Sequence, residues 1–150
     1  MTYRPMLPEE EMRWYEKLIE SEKNFVFALE SNDKDRTFFG TMGIHGIDYR
    51  QGIAGTGALI GNSSYRNKGY GTDAKMNLLY WAFTELNLRK VCSHVLATNP
   101  RSKCYLEKTG YREVGCYKKH VLHKGKFVDE YVMEVFKKDF MKIWRSYNKR

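Results

Sequence analysis

The sequence Arg66-Asn67-Lys68-Gly69-Tyr70-Gly71-Thr72 lies between an apolar segment, Ile53–Ile60, and a strongly amphipathic one, Thr72–Leu86. The apolar segment predicts a strand whose glycines invite a bulge. The amphipathic segment predicts a helix, because apolar residues recur at spacings of three or four. Gly69 and Gly71 remove Cβ atoms where a ligand would approach the main chain, and the helix N-terminus offers unpaired N–H donors. The turn is therefore a candidate phosphate cradle, with a plain strand-to-helix turn as the alternative.

Two cations lie within the same turn. Arg66 and Lys68 would strengthen the attraction for a pyrophosphate. The turn is not a P-loop, because it lacks the Gly-Lys-Ser/Thr ending. The spacing of Gly69, Gly71 and Ala74 fits a Rossmann variant, but the hairpin that precedes it is wrong for a dinucleotide fold, so a nicotinamide cofactor is not expected.

The other elements follow from periodicity and turn residues on both sides of this turn. The predicted elements are a helix over 9–22, strands over Asn24–Glu30, Thr37–Ile44 and Lys90–Ala97, a short helix from the N-cap Asn99 to Lys108 that ends at Gly110, paired strands over 112–122 and 127–136, and a basic C-terminal helix or tail over 137–150. This order predicts one α/β (α+β) domain over residues 1–150, with a single mixed, mostly antiparallel sheet flanked by helices.

Composition limits the class of protein. The chain has 150 residues, 26 Lys+Arg against 18 Asp+Glu, a net charge of +8 and 42% hydrophobic residues, which excludes a disordered tail. No apolar run approaches the roughly 20 residues of a membrane span, and no leader is evident, so a cytoplasmic location is predicted. Three cysteines, Cys92, Cys104 and Cys116, are expected to be core thiols rather than a disulfide framework.

Two ordered motifs resemble a known family. The pattern Arg66-x-x-Gly69-x-Gly71 resembles the Q/R-x-x-G-x-G/A signature of the GNAT acetyltransferase superfamily, whose loop binds the pyrophosphate of acetyl-CoA. The segments 99–102 and 106–111 resemble the second signature of that family. The hairpin over 114–133 is similar to that of the branch containing ribosomal-protein N-terminal (RimJ/RimL-like) and spermidine acetyltransferases. The resemblance covers about residues 53 to 136.

The resemblance implies a GNAT-like fold with acetyl-CoA as co-substrate. Main-chain groups of Leu59 and Ile60 would hydrogen-bond the pantetheine amides, and Asn99 and Ser102 would face the thioester. The pyrophosphate would be cradled by the seven residues Arg66, Asn67, Lys68, Gly69, Tyr70, Gly71 and Thr72. Asn99 is equally explained as a helix cap, and the two roles can coexist.

Acetyl transfer needs a neutral amine, stabilisation of the thioester oxygen and a proton for the departing thiolate. The resemblance makes Ser102 the candidate catalytic acid, with a serine that only satisfies the helix N-terminus as the alternative. Many relatives have a tyrosine at the position of Leu106. The adjacent Tyr105 is expected to point elsewhere.

The sequence assigns no catalytic base. Relatives carry a glutamate either where this chain has Gly55 or where it has Val121. The titratable residues nearby are His45, Asp48, His120 and His123. Histidine in general titrates in the useful range, so His120 and His123 are candidates to deprotonate an ammonium directly or through water, although a surface histidine is the commoner outcome in a hairpin.

Other chemistry is less well supported. The spacing of the cysteines and histidines matches no paired zinc-ligand pattern, so no metal is predicted. The basic tail has the composition of an RNA- or acidic-protein-binding segment, but a terminal helix that packs Phe140 and Trp144 explains it better.

The predicted function is therefore transfer of an acetyl group from acetyl-CoA to a primary amine, on a protein N-terminus or a small molecule. The alternative is a catalytically degenerate coenzyme A-binding or basic nucleic-acid-binding module. Relatives usually begin with a strand and a helix before the segment 9–22, and this shortened N-terminus would leave the acceptor site altered or completed by a partner chain. A homodimer is compatible with that. Neither a membrane nor nucleic acid is an expected partner.

Overall fold

The computed structural model of the protein describes residues 5–149. Within that range the chain forms α1 (Pro8–Ile19), β1 (Phe25–Glu30), β2 (Phe38–Asp48), β3 (Ile53–Ile60), α2 (Tyr70–Thr84), β4 (Lys90–Leu96), α3 (Pro100–Lys108), β5 (Arg112–His123), β6 (Lys126–Phe136) and α4 (Lys137–Tyr147). Each predicted element is present, with ends displaced by a few residues. The first helix ends at Ile19 rather than at residue 22, and α2 begins before Thr72.

One mixed sheet organises the chain, as predicted. Its strands lie in the order β1-β2-β3-β4-β6-β5. All neighbouring strands are antiparallel except β3 and β4, which run parallel because α2 carries the chain from one to the other. The irregular register predicted for the glycine-rich strand falls instead on its partner, between His45 and Asp48 of β2.

The parallel pair at the centre of the sheet is short. The strands β3 and β4 are paired only from Ile53 with Lys90 to Gly55 with Cys92. Beyond that point β3 stays paired with β2 and β4 with β6. In an antiparallel ladder alternate residues turn their N–H and C=O groups away from the partner strand. These groups of β3 therefore face the opening between β3 after Gly55 and β4 after Cys92, which we call the strand gap.

The core fills the space between one face of the sheet and the helices α2 and α4. Its fully buried residues include Met42, Ile44, Leu79, Phe83, Val91, Met133 and Phe140. Burial of Phe140 is as predicted. Trp144 is partly buried and stacks on Tyr80, with ring centroids 4.5 Å apart.

The cysteines are not core thiols, so that prediction was wrong. Cys104 is exposed, and Cys92 and Cys116 are only half-buried. In β4 the neighbours Val91 and Ser93 are buried beneath α2, so the pleat turns the Cys92 side chain to the other face.

A lysine lies in the core where the sequence predicted none. Lys75 of α2 is fully buried, and its Nζ has no hydrogen-bond partner among residues 5–149. The spacing from Lys75 to Leu79 and Ala82 places all three on one helix face, which is the signal that could have found it. Burial lowers the pKa of Lys75 to about 7, because the charged ammonium loses its hydration there.

Substitution of Lys75 by methionine is expected to change how stability depends on pH. The unfolded lysine loses its proton near pH 10.4, whereas the folded one does so near pH 7. Between these values the unfolded state binds more protons, so the wild type gains stability with rising pH, by up to about 1.4 kcal/mol per pH unit. Lys75→Met lacks this gain and is expected to be the more stable protein at pH 7, with the difference narrowing by pH 9.

Urea unfolding at pH 7, 8 and 9 measures this. The control is Lys138→Met, which removes the same charge from an exposed position on α4. If the three proteins have parallel stability curves, Lys75 is charged and hydrated in the folded state and the interpretation is wrong.

Candidate coenzyme-binding groove and active site

A groove of about 610 Å³ opens where β3 ends and where α2 and α3 begin. Its lining residues are Ala58, Leu59, Ile60, Arg66, Asn67, Gly69, Gly71, Thr72, Asn99, Arg101, Ser102, Cys104, Tyr105 and Lys108. The structure therefore brings together both predicted motifs, although more than 25 residues of chain separate them. Two helix N-termini and one open strand edge meet in this groove.

The loop before α2 has the backbone that its glycine predicts. Asn67 and Gly69 have φ of 60° and 90°. The first helical hydrogen bond runs from Asp73 N to Gly69 O at 2.9 Å, so the N–H groups of Tyr70, Gly71 and Thr72 lack a helical acceptor. These donors and the positive end of the helix dipole favour an anion.

The second glycine of the motif keeps the groove open. A Cβ on Gly71 would lie 3.2 Å from Ile60 Cδ1, which is tighter than ordinary contact. A side chain there would press on the end of β3 and fill the space above it. The close approach of α2 to β3 is the reason for a glycine at this position.

Arg66 holds the loop to the strand. Its Nε donates to Ile60 O at 2.9 Å and its Nη2 donates to Gly61 O at 3.0 Å. The guanidinium still carries its charge and further N–H donors toward the groove. It therefore fixes the loop as well as adding positive potential.

Two of the seven predicted cradle residues do not line the groove with their side chains. Lys68 is exposed and is absent from the lining. The Tyr70 ring packs instead on Phe39 and Tyr65, with both pairs of ring centroids 5.5 Å apart. Lys68 and Tyr70 therefore offer only their main-chain groups to the groove.

Two cations were missed by the sequence analysis. Arg101 and Lys108 of α3 line the groove beside Arg66, and no carboxylate is found among its described lining residues. Arg101, Cys104 and Lys108 recur at spacings of three and four, which places them on one face of α3. That spacing is the signal that could have identified them. The groove is thus suited to a polyanion.

The start of α3 combines a cap with a groove wall. Asn99 Oδ1 accepts a hydrogen bond from Ser102 N at 3.1 Å, so the predicted cap is present, and both residues line the groove. Leu106 is buried in the core, and Tyr105, which was expected to point elsewhere, lines the groove. Burial raises the pKa of Tyr105, so its phenol stays protonated.

A histidine lies over Gly55, the strand position at which the family resemblance implied a glutamate in relatives. His45 of β2 is paired with Gly55 of β3, and a Cβ on Gly55 would lie 2.7 Å from His45 Nε2. A Cβ on Gly57 would lie 3.8 Å from the same ring. The two glycines that weaken the strand leave the space that the imidazole occupies.

The pKa of His45 is lowered by loss of hydration against the strand, and further by the positive charges of Lys75 and His94. The ring is therefore neutral at pH 7. It still reaches solvent. A neutral, accessible imidazole is able to accept a proton.

The sheet face that carries His45 is polar. His94 Nδ1 lies 3.2 Å from Glu130 Oε2, and His120 Nε2 lies 4.0 Å from the same oxygen. The Tyr117 ring is 4.8 Å from the His120 ring. Two imidazoles thus flank one carboxylate, and of their strands β4, β6 and β5 only β4, which carries His94, borders the strand gap.

The remaining histidine and aspartate candidates lie elsewhere. His123 is paired with Lys126 at the far end of the β5–β6 hairpin. Asp48 Oδ1 accepts a hydrogen bond from Gln51 N at 2.9 Å and so belongs to a turn.

No helix within residues 5–149 has the length and apolar content required to cross a bilayer. Across the same residues, no cluster of three or more histidine, cysteine or acidic side chains is suited to hold a metal ion.

Comparison with known proteins agrees with the fold. The chain is 28% identical over 114 residues to the "Uncharacterized N-acetyltransferase p20" of Bacillus licheniformis, which covers 76% of this chain and 63% of that protein. The chain thus spans less than two thirds of the length of that relative.

Solved structures with the same fold include spermidine N-acetyltransferase SpeG from Vibrio cholerae. A SpeG variant matches with a TM-score of 0.82 and 25% identity, over 92% of this chain and 79% of that chain. The complex of SpeG with CoA and spermine matches with a TM-score of 0.82, 24% identity and coverage of 89% and 77%, and this shows likeness of fold.

The family assignment rests on a separate match. Residues 1–112, three quarters of the chain, match the family described as "Acetyltransferase (GNAT) domain". That family was predicted from the two signatures that meet in the groove. The chain belongs to the GNAT acetyltransferase family.

Proposed function

We propose that the protein is an acetyl-CoA-dependent N-acetyltransferase that moves the acetyl group directly to a primary amine. The observation that carries this proposal is the groove, in which two helix N-termini, three cations and the open edge of β3 converge. Acetyl-CoA matches these features, since it has a pyrophosphate for the helix ends and amides for an unpaired strand edge. When bound, it supplies the activated acetyl group.

The binding roles divide along the groove. Unpaired N–H groups at the start of α2 hold the pyrophosphate, while Arg66, Arg101 and Lys108 add positive potential. Main-chain groups at Leu59 and Ile60 pair with the pantetheine amides, as an added strand would. Asn99 and Ser102 then face the thioester from α3, and the Ser102 hydroxyl donates a hydrogen bond to its sulfur.

His45 is the proposed catalytic base. It lies over Gly55 on the polar face, at the end of the paired part of β3 and β4. Its pKa is lowered, so it is neutral at pH 7 and able to accept the proton that an ammonium must lose before it attacks. The imidazole thus takes the place of the glutamate that relatives carry on β3.

The acceptor is proposed to approach from the polar face. Amines arrive as cations, and Glu130, with only 17% of its side chain exposed, offers a carboxylate between His94 and His120. Either a protein N-terminus or a small amine fits this chemistry. The net charge of +8 disfavours polycations at low salt. A homodimer and a cytoplasmic location stay predictions.

Turnover separates this function from its alternative. Incubation with acetyl-CoA and a panel of amines and peptides, followed by detection of free thiol, is expected to identify an acceptor. Binding of coenzyme A without thiol release from any acceptor would instead support a degenerate binding module. Retention of RNA without coenzyme A binding would support the nucleic-acid alternative.

Replacement of Gly69 by valine is expected to weaken coenzyme A binding at least about tenfold. The valine strains a backbone with φ of 90° and introduces a branched side chain in front of the N–H donors of α2. Isothermal titration calorimetry with coenzyme A measures the effect.

The matched control is Gly125→Val, at the tip of the β5–β6 hairpin. Gly125 has φ of 77°, and, like Gly69, it has no atom within 4 Å of an added Cβ. Backbone strain is therefore similar, but only Gly69 lies in the groove. Equal affinities for the two variants would remove the cradle from the proposal.

Replacement of His45 by glutamine is expected to lower kcat by about 10²–10⁴-fold, the usual contribution of a general base. Wild-type kcat should fall at acidic pH as the imidazole gains a proton, with an apparent pKa below 6.5, because the pKa of His45 is lowered. His45→Gln should lose this acidic limb.

The comparison is made with His123→Gln, which changes a histidine far along the hairpin and should retain the wild-type profile. The affinity for coenzyme A, measured separately, should be the same in all three proteins. An unchanged acidic limb in His45→Gln would assign the base to another group.

A further inference from the structure

The core contains a buried amine beside the strand gap, on the side of α2. Lys75 Nζ lies 5.8 Å from the centroid of the Tyr105 ring and 6.0 Å from that of Tyr111. The Tyr111 hydroxyl lies 2.8 Å from Thr56 Oγ1, and Thr56 is the first residue of β3 beyond its pairing with β4. These contacts locate the amine close to the point where the strands separate.

The same amine lies close to the groove. Tyr105 lines the groove, and Lys75 Nζ lies 5.8 Å from the centroid of its ring, so the same aromatic side chain is a neighbour of both the groove and the amine. The flexible four-carbon stem of a lysine allows a short movement past such a ring.

Nothing in the described part of the chain compensates the charge of this amine. The neutral phenols of Tyr105 from α3 and Tyr111 before β5 lie beside Nζ, and the Lys75 charge also acts on His45 of β2. No hydrogen bond to Nζ forms within residues 5–149. An unpaired buried amine is costly, and a negative charge arriving in the groove would relieve that cost.

Acetyl transfer generates such a charge. The amine attacks the carbonyl carbon, the C–N bond forms, the C–S bond breaks, and the electron pair stays on sulfur as a thiolate. The Ser102 hydroxyl carries no net charge, so it does not neutralise the thiolate. We propose that Lys75 supplies the positive charge that stabilises the departing coenzyme A thiolate, and then the proton that converts it to the thiol.

The protons balance in this scheme, which rests on the proposed function. An ammonium acceptor loses two protons when it becomes an amide, and His45 receives them in turn and passes them to solvent. Lys75 gives one proton to sulfur and becomes a neutral amine. It regains a proton from solvent when the products leave, so one proton is released overall.

The protonation behaviour of Lys75 suits this role. Burial lowers its pKa to about 7, so that the amine exchanges its proton at neutral pH. Its positive charge also contributes, after burial, to the lowered pKa of His45. At neutral pH the Lys75 ammonium on the α2 side is thus able to donate a proton, while His45 on the polar face is neutral and able to accept one.

The test is the ionisation of the coenzyme A thiol in its complex with the protein, followed by the ultraviolet absorbance of the thiolate. It needs no acceptor and no turnover. In the wild type the bound thiol is expected to ionise at a pH at least about 1 unit lower than in Lys75→Met, a tenfold difference in ionisation constant. Thiol and amine titrate as a coupled pair, so the shift belongs to the pair.

Matched variants make the result specific. Lys138→Met removes an exposed lysine and should titrate like the wild type. Lys75→Gln is a second neutral variant, and circular dichroism checks that each variant is folded. If neither Lys75 variant folds, the wild-type complex is compared with free coenzyme A, and a lowered thiol pKa supports the proposal.

The outcomes distinguish failure of the proposed role of Lys75 from failure of the proposed function. Identical thiol titrations in the wild type and Lys75→Met, with coenzyme A bound to both, would overturn the role of Lys75 and leave the proposed function standing. A wild-type thiol that ionises no more readily than free coenzyme A would do the same. Failure of the wild type to bind coenzyme A would overturn the proposed function and this inference together.

Discussion

The parting of β3 and β4 is the constraint on which the rest of the molecule depends. Two parallel strands at the centre of a sheet normally satisfy each other's backbone groups, but here they do so only up to Gly55 and Cys92. Beyond that point the peptide groups of β3 that face the gap lack a partner strand, and unpaired backbone groups favour a ligand with amides of its own. Where β3 and β4 separate, the N-termini of α2 and α3 line one groove. The strand gap thus leaves an open strand edge that is suited to such a ligand.

Glycines leave room beside the strand gap on both faces of the sheet. Gly71 allows α2 to approach β3 on the groove side, where an added Cβ would crowd Ile60. Gly55 and Gly57 leave the opposite face open for the His45 ring. Glycines weaken a strand, but they suit β3, because neighbouring groups approach its backbone closely on both faces. The β2 and β4 neighbours stabilise it.

Titratable groups on the two faces of the sheet have different surroundings. His45 is in contact with solvent on a sheet face that carries other imidazoles and carboxylates. Lys75, on the buried side of α2, lies beside the rings of Tyr105 and Tyr111. Loss of hydration lowers the pKa of both, which brings that of Lys75 to about 7 and keeps the His45 ring neutral at pH 7. A buried lysine reduces stability, and such a cost is common where a protein retains polar chemistry in its interior.

Local sequence determined the elements, the Asn99 cap, the glycine loop and the family, because periodicity, turn residues and motif spacing are short-range properties. Only the tertiary structure decided which side chains meet. The Tyr70 ring turns to Phe39, Tyr105 enters the groove, and His45 covers Gly55 from another strand. The cysteines were misplaced and Lys75 was overlooked for the same physical reason. Burial depends on what packs over a residue, and that partner is distant in the chain.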